Sequence, residues 1–235
     1  MTAAAPLSPL FCPLTFRNGA RARNCLAVAP MTNLQSHRDG SLSDAELQWL
    51  VRRAAGGFGL VITCAAHVTL DGQGWPGELG VYADHLLPGL TQLAAALREN
   101  GALPLVQLFH GGVRAPRQVT GLVPFSASEI PDEPEAPRAA SEADLERVID
   151  AFRDAALRAY RAGFAGVELH FAFRQQAGAA RHGYRGAVRA PFDPDAEALQ
   201  VGNHRQDVGG GLHAHQLGRL IGERRAKQVT IDEAL

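Results

Sequence analysis

The sequence has no apolar run that approaches the roughly 20 residues a membrane span needs. Its first residues, Met1 to Pro9, show neither a basic start nor a long apolar stretch. The chain therefore reads as cytoplasmic, with no membrane partner. An excess of one charge is missing too: 23 Lys and Arg stand against 24 Asp and Glu, for a net charge of -1. No basic field exists to hold nucleic acid or acidic lipid. Cysteine is scarce, and Cys12, Cys25 and Cys64 are odd in number, against a disulfide framework. Cys25 and Cys64 fall in apolar, strand-like runs where a reduced thiol packs as a small hydrophobe. Three reduced thiols and no metal site are expected. Lysine is nearly absent: Lys227 stands far from any strand, which removes the strand-end amine of a Schiff-base lyase.

What is present is a large apolar share, 46% of 235 residues, enough for one sizeable core. Apolar runs, helical patterns and glycines alternate in a fixed order. Strands are expected at Cys25 to Met31, Leu60 to Ala66, Leu103 to Phe109 and Gly166 to Ala172. Between the first two, Ser43-Asp44-Ala45-Glu46 has capping-box spacing, with the hydroxyl taking an orphan amide and the glutamate reaching back. A helix follows, with Leu47, Leu50, Val51 and Ala54 on one face and Gly56-Gly57 at its end. A second helix, Asp84 to Asn100, tolerates Pro88 in its first turn and turns Leu86, Leu90, Leu93, Ala94 and Leu97 to one side. A third, Ser141 to Ala162, does the same with Leu145, Val148, Ile149, Phe152 and Ala156. Strands apolar at nearly every position, each followed by such a helix, argue a parallel sheet covered by helices. No glycine-rich turn follows the first strand, against a doubly wound dinucleotide fold. The fold class is α/β, a TIM-type β/α barrel.

Buried polar side chains cost a few kcal/mol unless satisfied, so those inside the strands carry the functional argument. Gln107 interrupts Leu105-Val106-Gln107-Leu108-Phe109; its amide suits either a uracil-like ring edge or a bridge between strand backbones. Glu168 and His170 share one face at period two, and a neutral imidazole there would donate to a carbonyl or phenolate oxygen. His110, before Gly111-Gly112, reads as a ring that packs its loop. The first strand ends on Ala29-Pro30-Met31-Thr32, offering backbone amides and a hydroxyl at its carboxyl end.

Taken in order, four segments carry a resemblance. They are Asn24 to Thr32 (NCLAVAPMT), Gly56 to Ile62 (GGFGLVI), Val106 to Gly112 (VQLFHGG) and Gly163 to His170 (GFAGVELH). Residues from about Phe11 to Ala172 resemble the amino-terminal half of the old yellow enzymes, the NADH:flavin oxidoreductase family of FMN-dependent ene-reductases built on an eight-stranded β/α barrel. The resemblance implies FMN, with NADH or NADPH as reductant. It implies that Ala29, Pro30, Met31, Thr32 and Ala65 contact the flavin, the Thr32 hydroxyl near C4 and N5, and that Gln107 binds the pyrimidine edge. His170 would hold the carbonyl oxygen of a small enone-type substrate while hydride passes from flavin N5 to the alkene carbon.

The departures lie late in the chain. Phe173 stands where the family has a second donor, and Gln175 where a Tyr is usual. His182-Gly183-Tyr184 reads as a chance triplet, since Arg185-Gly186 follows where the family has bulky apolar residues; Asn203 to Gly210 matches a family segment only faintly, and the pair His213 and His215 lacks Cys or paired carboxylates nearby. The expected organisation is residues 1 to 173 as the first half of an FMN-binding barrel, with about four βα units, and 174 to 235 as an irregular tail without a clear strand. That count leaves sheet edges open to pairing with a second copy and Glu168 without the arginine of a fifth strand. The alternatives are a truncated, inactive half-barrel that binds FMN poorly, and a different β/α enzyme of the aldolase type.

Overall fold

The structure, a computed structural model, describes residues 8–16, 18–132, 134–171 and 187–191. Phe173, Gln175, the His182 triplet, Asn203 to Gly210, His213, His215 and Lys227 lie outside the described residues. The strands are β1 (Leu14–Thr15), β2 (Arg21–Ala22), β3 (Ala27–Val28), β4 (Leu60–His67), β5 (Leu79–Gly80), β6 (Leu103–His110), β7 (Phe125–Ser126), β8 (Arg138–Ala139), β9 (Gly166–Phe171) and β10 (Ala187–Pro191). The α-helices are α1 (Ser8–Phe11), α2 (Asp44–Ala55), α3 (Leu87–Glu99), α4 (Arg117–Thr120) and α5 (Glu142–Arg161). None of the described helices is long and apolar enough to cross a membrane.

The main sheet runs β10-β9-β6-β4-β3, with β5 beside the end of β4. β3, β4, β6 and β9 are mutually parallel, so their carboxyl ends share one rim. This is the first part of a β/α barrel. On the outer side, Val61, Ala66, Val106, Leu108, Val167 and Leu169 meet the buried faces of α2, α3 and α5 in one core. On the inner side, Leu60, Ile62, Leu103 and Leu105 form a smaller apolar cluster with Ala22 and Ala165. Because side chains alternate along a strand, the apolar floor and the polar residues above it occupy the same inner face.

The helices form where their spacing predicts. α5 has a complete capping box: the Ser141 hydroxyl accepts from the Asp144 N–H while the Asp144 carboxylate accepts from the Ser141 N–H. Its buried face is Val148, Phe152, Ala155 and Ala159, with Leu145, Ile149 and Ala156 only half-buried. α3 starts at Leu87 rather than Asp84, because a tight 3-10 turn, Asp84–Leu86, precedes it; Pro88 sits in the first turn, where no amide bond is lost. Gly101 (φ 78°) and Gly163 (φ 88°) follow the last residues of α3 and α5 in the left-handed conformation that ends helices.

Three expectations are corrected. The first strand is Ala27–Val28, not Cys25 to Met31: Pro30 has no N–H for a ladder, the Cys25 N–H goes to the Leu10 carbonyl, and the Leu26 N–H goes to Asn24 Oδ1. Cys25 is accordingly exposed, like Cys12, while Cys64 is buried; none of the three is in a disulfide. In α2 only half of the capping box forms. The Ser43 hydroxyl accepts from the Glu46 N–H at 3.2 Å, but the Glu46 carboxyl turns inward to the Ser36 hydroxyl. Finally, the tail region does contain a strand: β10 pairs antiparallel with β9, so that edge of β9 is covered.

His67, at the end of β4, is fully buried and stacks on Tyr82 with ring centroids 5.0 Å apart. Burial pushes its imidazole down to about 4. The folded state thus keeps this ring neutral while the unfolded chain takes up a proton below about 6.5, so its contribution to stability is lost as pH falls between those values. Glu46 and Glu78, whose carboxyls burial pushes up, act in the opposite sense. The expected result is therefore a difference: between pH 7 and 5 the unfolding free energy of the protein falls relative to that of His67→Leu. Equal pH slopes in urea titrations of the two proteins would refute this.

Candidate functional site

Register places the polar residues. Ala65 of β4 lies opposite Gln107 of β6, which lies opposite Glu168 of β9. The three make one lateral row on the inner face, above the apolar floor. The next inner row toward the carboxyl ends is His67, Phe109 and His170. The β4–β6 register shifts between Ile62 and Ala65. There the Thr63 hydroxyl replaces a ladder partner, accepting the Gln107 N–H at 3.2 Å and donating to the Cys64 carbonyl at 2.7 Å. Such a bulge re-aims side chains locally.

Within the row, Gln107 Nε2 donates to Glu168 Oε1 at 2.7 Å, both residues being buried. Glu168 thus has a neutral hydrogen-bond donor, which does not stand in for the expected arginine; in the β9–β10 register its partner is Arg189. The observed bond is neither of the two arrangements read from the sequence: the amide meets a carboxylate across the strands rather than strand backbones. One N–H is spent in this way; the amide also carries an oxygen acceptor and a second N–H.

His170 is half-buried, its ring 5.2 Å from that of Phe109, which in turn lies 5.5 Å from Trp75. Trp75 was not singled out in the sequence, because it sits in a loop without periodicity. That loop is closed by Glu78, fully buried, whose Oε2 accepts the Gly74 N–H at 2.6 Å. The loop after β6 is held by His110 as the sequence suggests. Its Nδ1 accepts the Gly112 N–H at 3.0 Å, and Nε2 faces Asp71 at 3.8 Å. Asp71 also takes a two-pronged bond from Arg147, at 3.1 and 2.6 Å. Burial opposes ionisation of Asp71, but His110 and Arg147 outweigh it and hold the carboxyl well below the usual range.

Ala29, Pro30, Met31 and Thr32 follow β3 at the same rim, with Ala29, Met31 and Thr32 exposed and Pro30 half-buried. Cys64 of β4, next to Ala65, lies near the Met31 backbone. The structure thus aligns Ala65, Gln107 and His170 on adjoining strands and sets Ala29 to Thr32 on the same rim. Its surfaces suit a flat ligand: a small residue beside a buried amide, an apolar floor below, and exposed backbone at the edge.

Comparison with known proteins agrees with this architecture. The probable NADH-dependent flavin oxidoreductase YqiG of Bacillus subtilis (strain 168) is 41% identical over 167 residues, covering 69% of this chain and 44% of that protein. The NADPH dehydrogenase of Geobacillus thermodenitrificans (strain NG80-2) is 31% identical over 217 residues, covering 90% of this chain and 58% of that one. The chain therefore spans about half the length of these two relatives. Among solved structures, the old yellow enzyme homologue from Zymomonas mobilis superposes with a TM-score of 0.62 at 28% identity, over 68% of this chain and 48% of that one. Residues 9–173 match the family model described as "NADH:flavin oxidoreductase / NADH oxidase family". With that match spanning well over half of its length and its parallel strands laid out as in these barrels, the chain belongs to the NADH:flavin oxidoreductase / NADH oxidase family.

Proposed function

We propose that the rim formed by β3, β4, β6 and β9 binds FMN and that the protein reduces α,β-unsaturated carbonyl compounds at the expense of NADH or NADPH. The observation that supports this most is the buried row Ala65–Gln107–Glu168 with His170 one step beyond it. Reduced FMN, when bound, supplies the hydride. Glu168 orients the Gln107 amide, whose remaining groups pair with the pyrimidine edge. Ala29, Pro30, Met31, Thr32 and Ala65 would hold the ring. His170 donates an N–H to the substrate carbonyl oxygen and withdraws electron density from the alkene carbon that receives hydride. The Phe173 side chain carries no N–H, so it cannot itself supply the second side-chain donor usual in the resembled family.

The test uses flavin-loaded protein and a para-substituted phenol, which gives a long-wavelength charge-transfer band when its oxygen is held over the ring. His170→Ala is expected to remove most of the band and to weaken the phenol at least about tenfold, as for one lost hydrogen bond of about 1.5 kcal/mol. Full affinity in the variant would remove His170 from this role. Absence of any FMN uptake by the unaltered protein would overturn the whole reading.

A further inference from the structure

Glu46 is a fully buried carboxyl that the proposed chemistry does not use. It lies in the first turn of α2, yet its side chain leaves the helix end and accepts the Ser36 hydroxyl. Asn33 and Cys64 lie near the same carboxyl and Cys64 lies near the Met31 backbone, but Glu46 Oε1 and Asn33 Nδ2 take no hydrogen bond, so the Ser36 hydroxyl is the side-chain partner that Glu46 holds. Burial pushes the carboxyl up, against the opposing pull of Ser36, Cys64 and Asn33. A buried carboxyl at this place is costly, so its partners indicate what it holds.

Those partners all lie on or against one segment. Between Met31 and Ser36 the chain makes a turn in which Leu34 takes φ 56°, a left-handed conformation unusual for a bulky non-glycine residue. Such a conformation persists only when its surroundings over-determine it. The surroundings here are several. Asn33 Oδ1 accepts the Gln35 N–H at 3.2 Å, the Gly77 carbonyl accepts the Ser36 N–H at 3.1 Å, and the Ser43 hydroxyl donates to the Gln35 carbonyl. Glu46 anchors Ser36 at the centre of this set, with Asn33 and Cys64 close by.

We propose that Glu46 is a positioning residue that holds the Met31–Ser36 segment in the conformation that meets the flavin; its flavin part rests on the FMN reading above. Glu46 touches neither ring nor substrate. It acts through Ser36, which anchors the turn that follows Met31 and Thr32.

The test compares the unaltered protein with Glu46→Ala, Glu46→Gln and Ser36→Ala. Gln keeps an acceptor for Ser36, and Ser36→Ala removes only the donor, which guards against a Glu46→Ala protein that fails to fold. Hydrogen exchange of the Gln35 and Ser36 amides is measured without flavin. It is expected to quicken at least about tenfold in Glu46→Ala and Ser36→Ala, and no more than about threefold in Glu46→Gln, while β6 and β9 amides stay within about twofold. Exchange that is unchanged, or that rises uniformly across the sheet, would overturn the positioning role. In FMN titrations, Glu46→Ala is expected to raise the dissociation constant about tenfold or more, and Glu46→Gln to leave it near the starting value. Faster local exchange with unchanged FMN affinity would overturn the link to the flavin. If the unaltered protein takes up no FMN, the functional reading falls and the flavin link with it, while exchange still decides whether Glu46 holds the segment.

Discussion

Leu108→Ala is expected to lower the unfolding free energy by about 2–5 kcal/mol, the range for emptying a leucine site in a core that cannot collapse. Leu108 has no exposed surface and lies in β6 between Ala66 of β4 and Leu169 of β9, on the side of the sheet that the helices cover. Its neighbours are held by strand pairing on both sides, so relaxation into the void is restricted. Against a total stability on the order of 5–15 kcal/mol, such a loss is large. The urea midpoint should fall with little change in slope. Leu157→Ala provides the control: Leu157 is 40% exposed on α5 and should change stability by no more than about 0.5 kcal/mol. If Leu108→Ala cost as little as Leu157→Ala, the packing of helices on the β6 strand would have to be rejected.

Gln107→Ala is expected to weaken FMN by about 1–3 kcal/mol, or roughly 5- to 150-fold in dissociation constant. Two losses coincide. The pyrimidine edge would lose its amide partner, and Glu168 would lose the Gln107 donor at 2.7 Å in a row that is buried. Glu168→Gln separates them, since it leaves the Gln107 amide in place and an oxygen to receive it, and should cost less than Gln107→Ala. Fluorescence titration measures both. Thermal melting of the flavin-free variants shows whether the strand row itself has loosened. An unchanged affinity in Gln107→Ala would end the assignment of this residue to the ring.

Local pattern and tertiary placement divide cleanly in this chain. β4, β6 and β9 were legible because strands buried on both faces read as unbroken apolar runs. α2, α3 and α5 were legible because their apolar spacing, caps and terminal glycines act within three or four residues. The first strand was read too long, since the apolar run from Cys25 says nothing about Leu10 and Asn24 taking its amides. The β10 strand was missed, having no apolar run of its own, and its pairing with β9 is a long-range contact.

The site divides in the same way. Alternation along one strand was enough to put Glu168 and His170 on a common face, and a polar residue inside an apolar run marked Gln107. That Gln107 bonds Glu168, however, depends on the register of β6 against β9, and a shift of one residue would turn these side chains to opposite faces. Glu46 shows the same limit in a helix. Its spacing from Ser43 satisfies the capping box, but spacing cannot report that Ser36, Asn33 and Cys64 surround it after folding. The sequence by itself determined the order of β4, β6 and β9 and of α2, α3 and α5, and which residues were too polar to be only packing. The tertiary structure alone decided which of those polar groups meet, because a buried hydrogen bond depends on distances between segments far apart in the chain, and local periodicity carries no information about those distances.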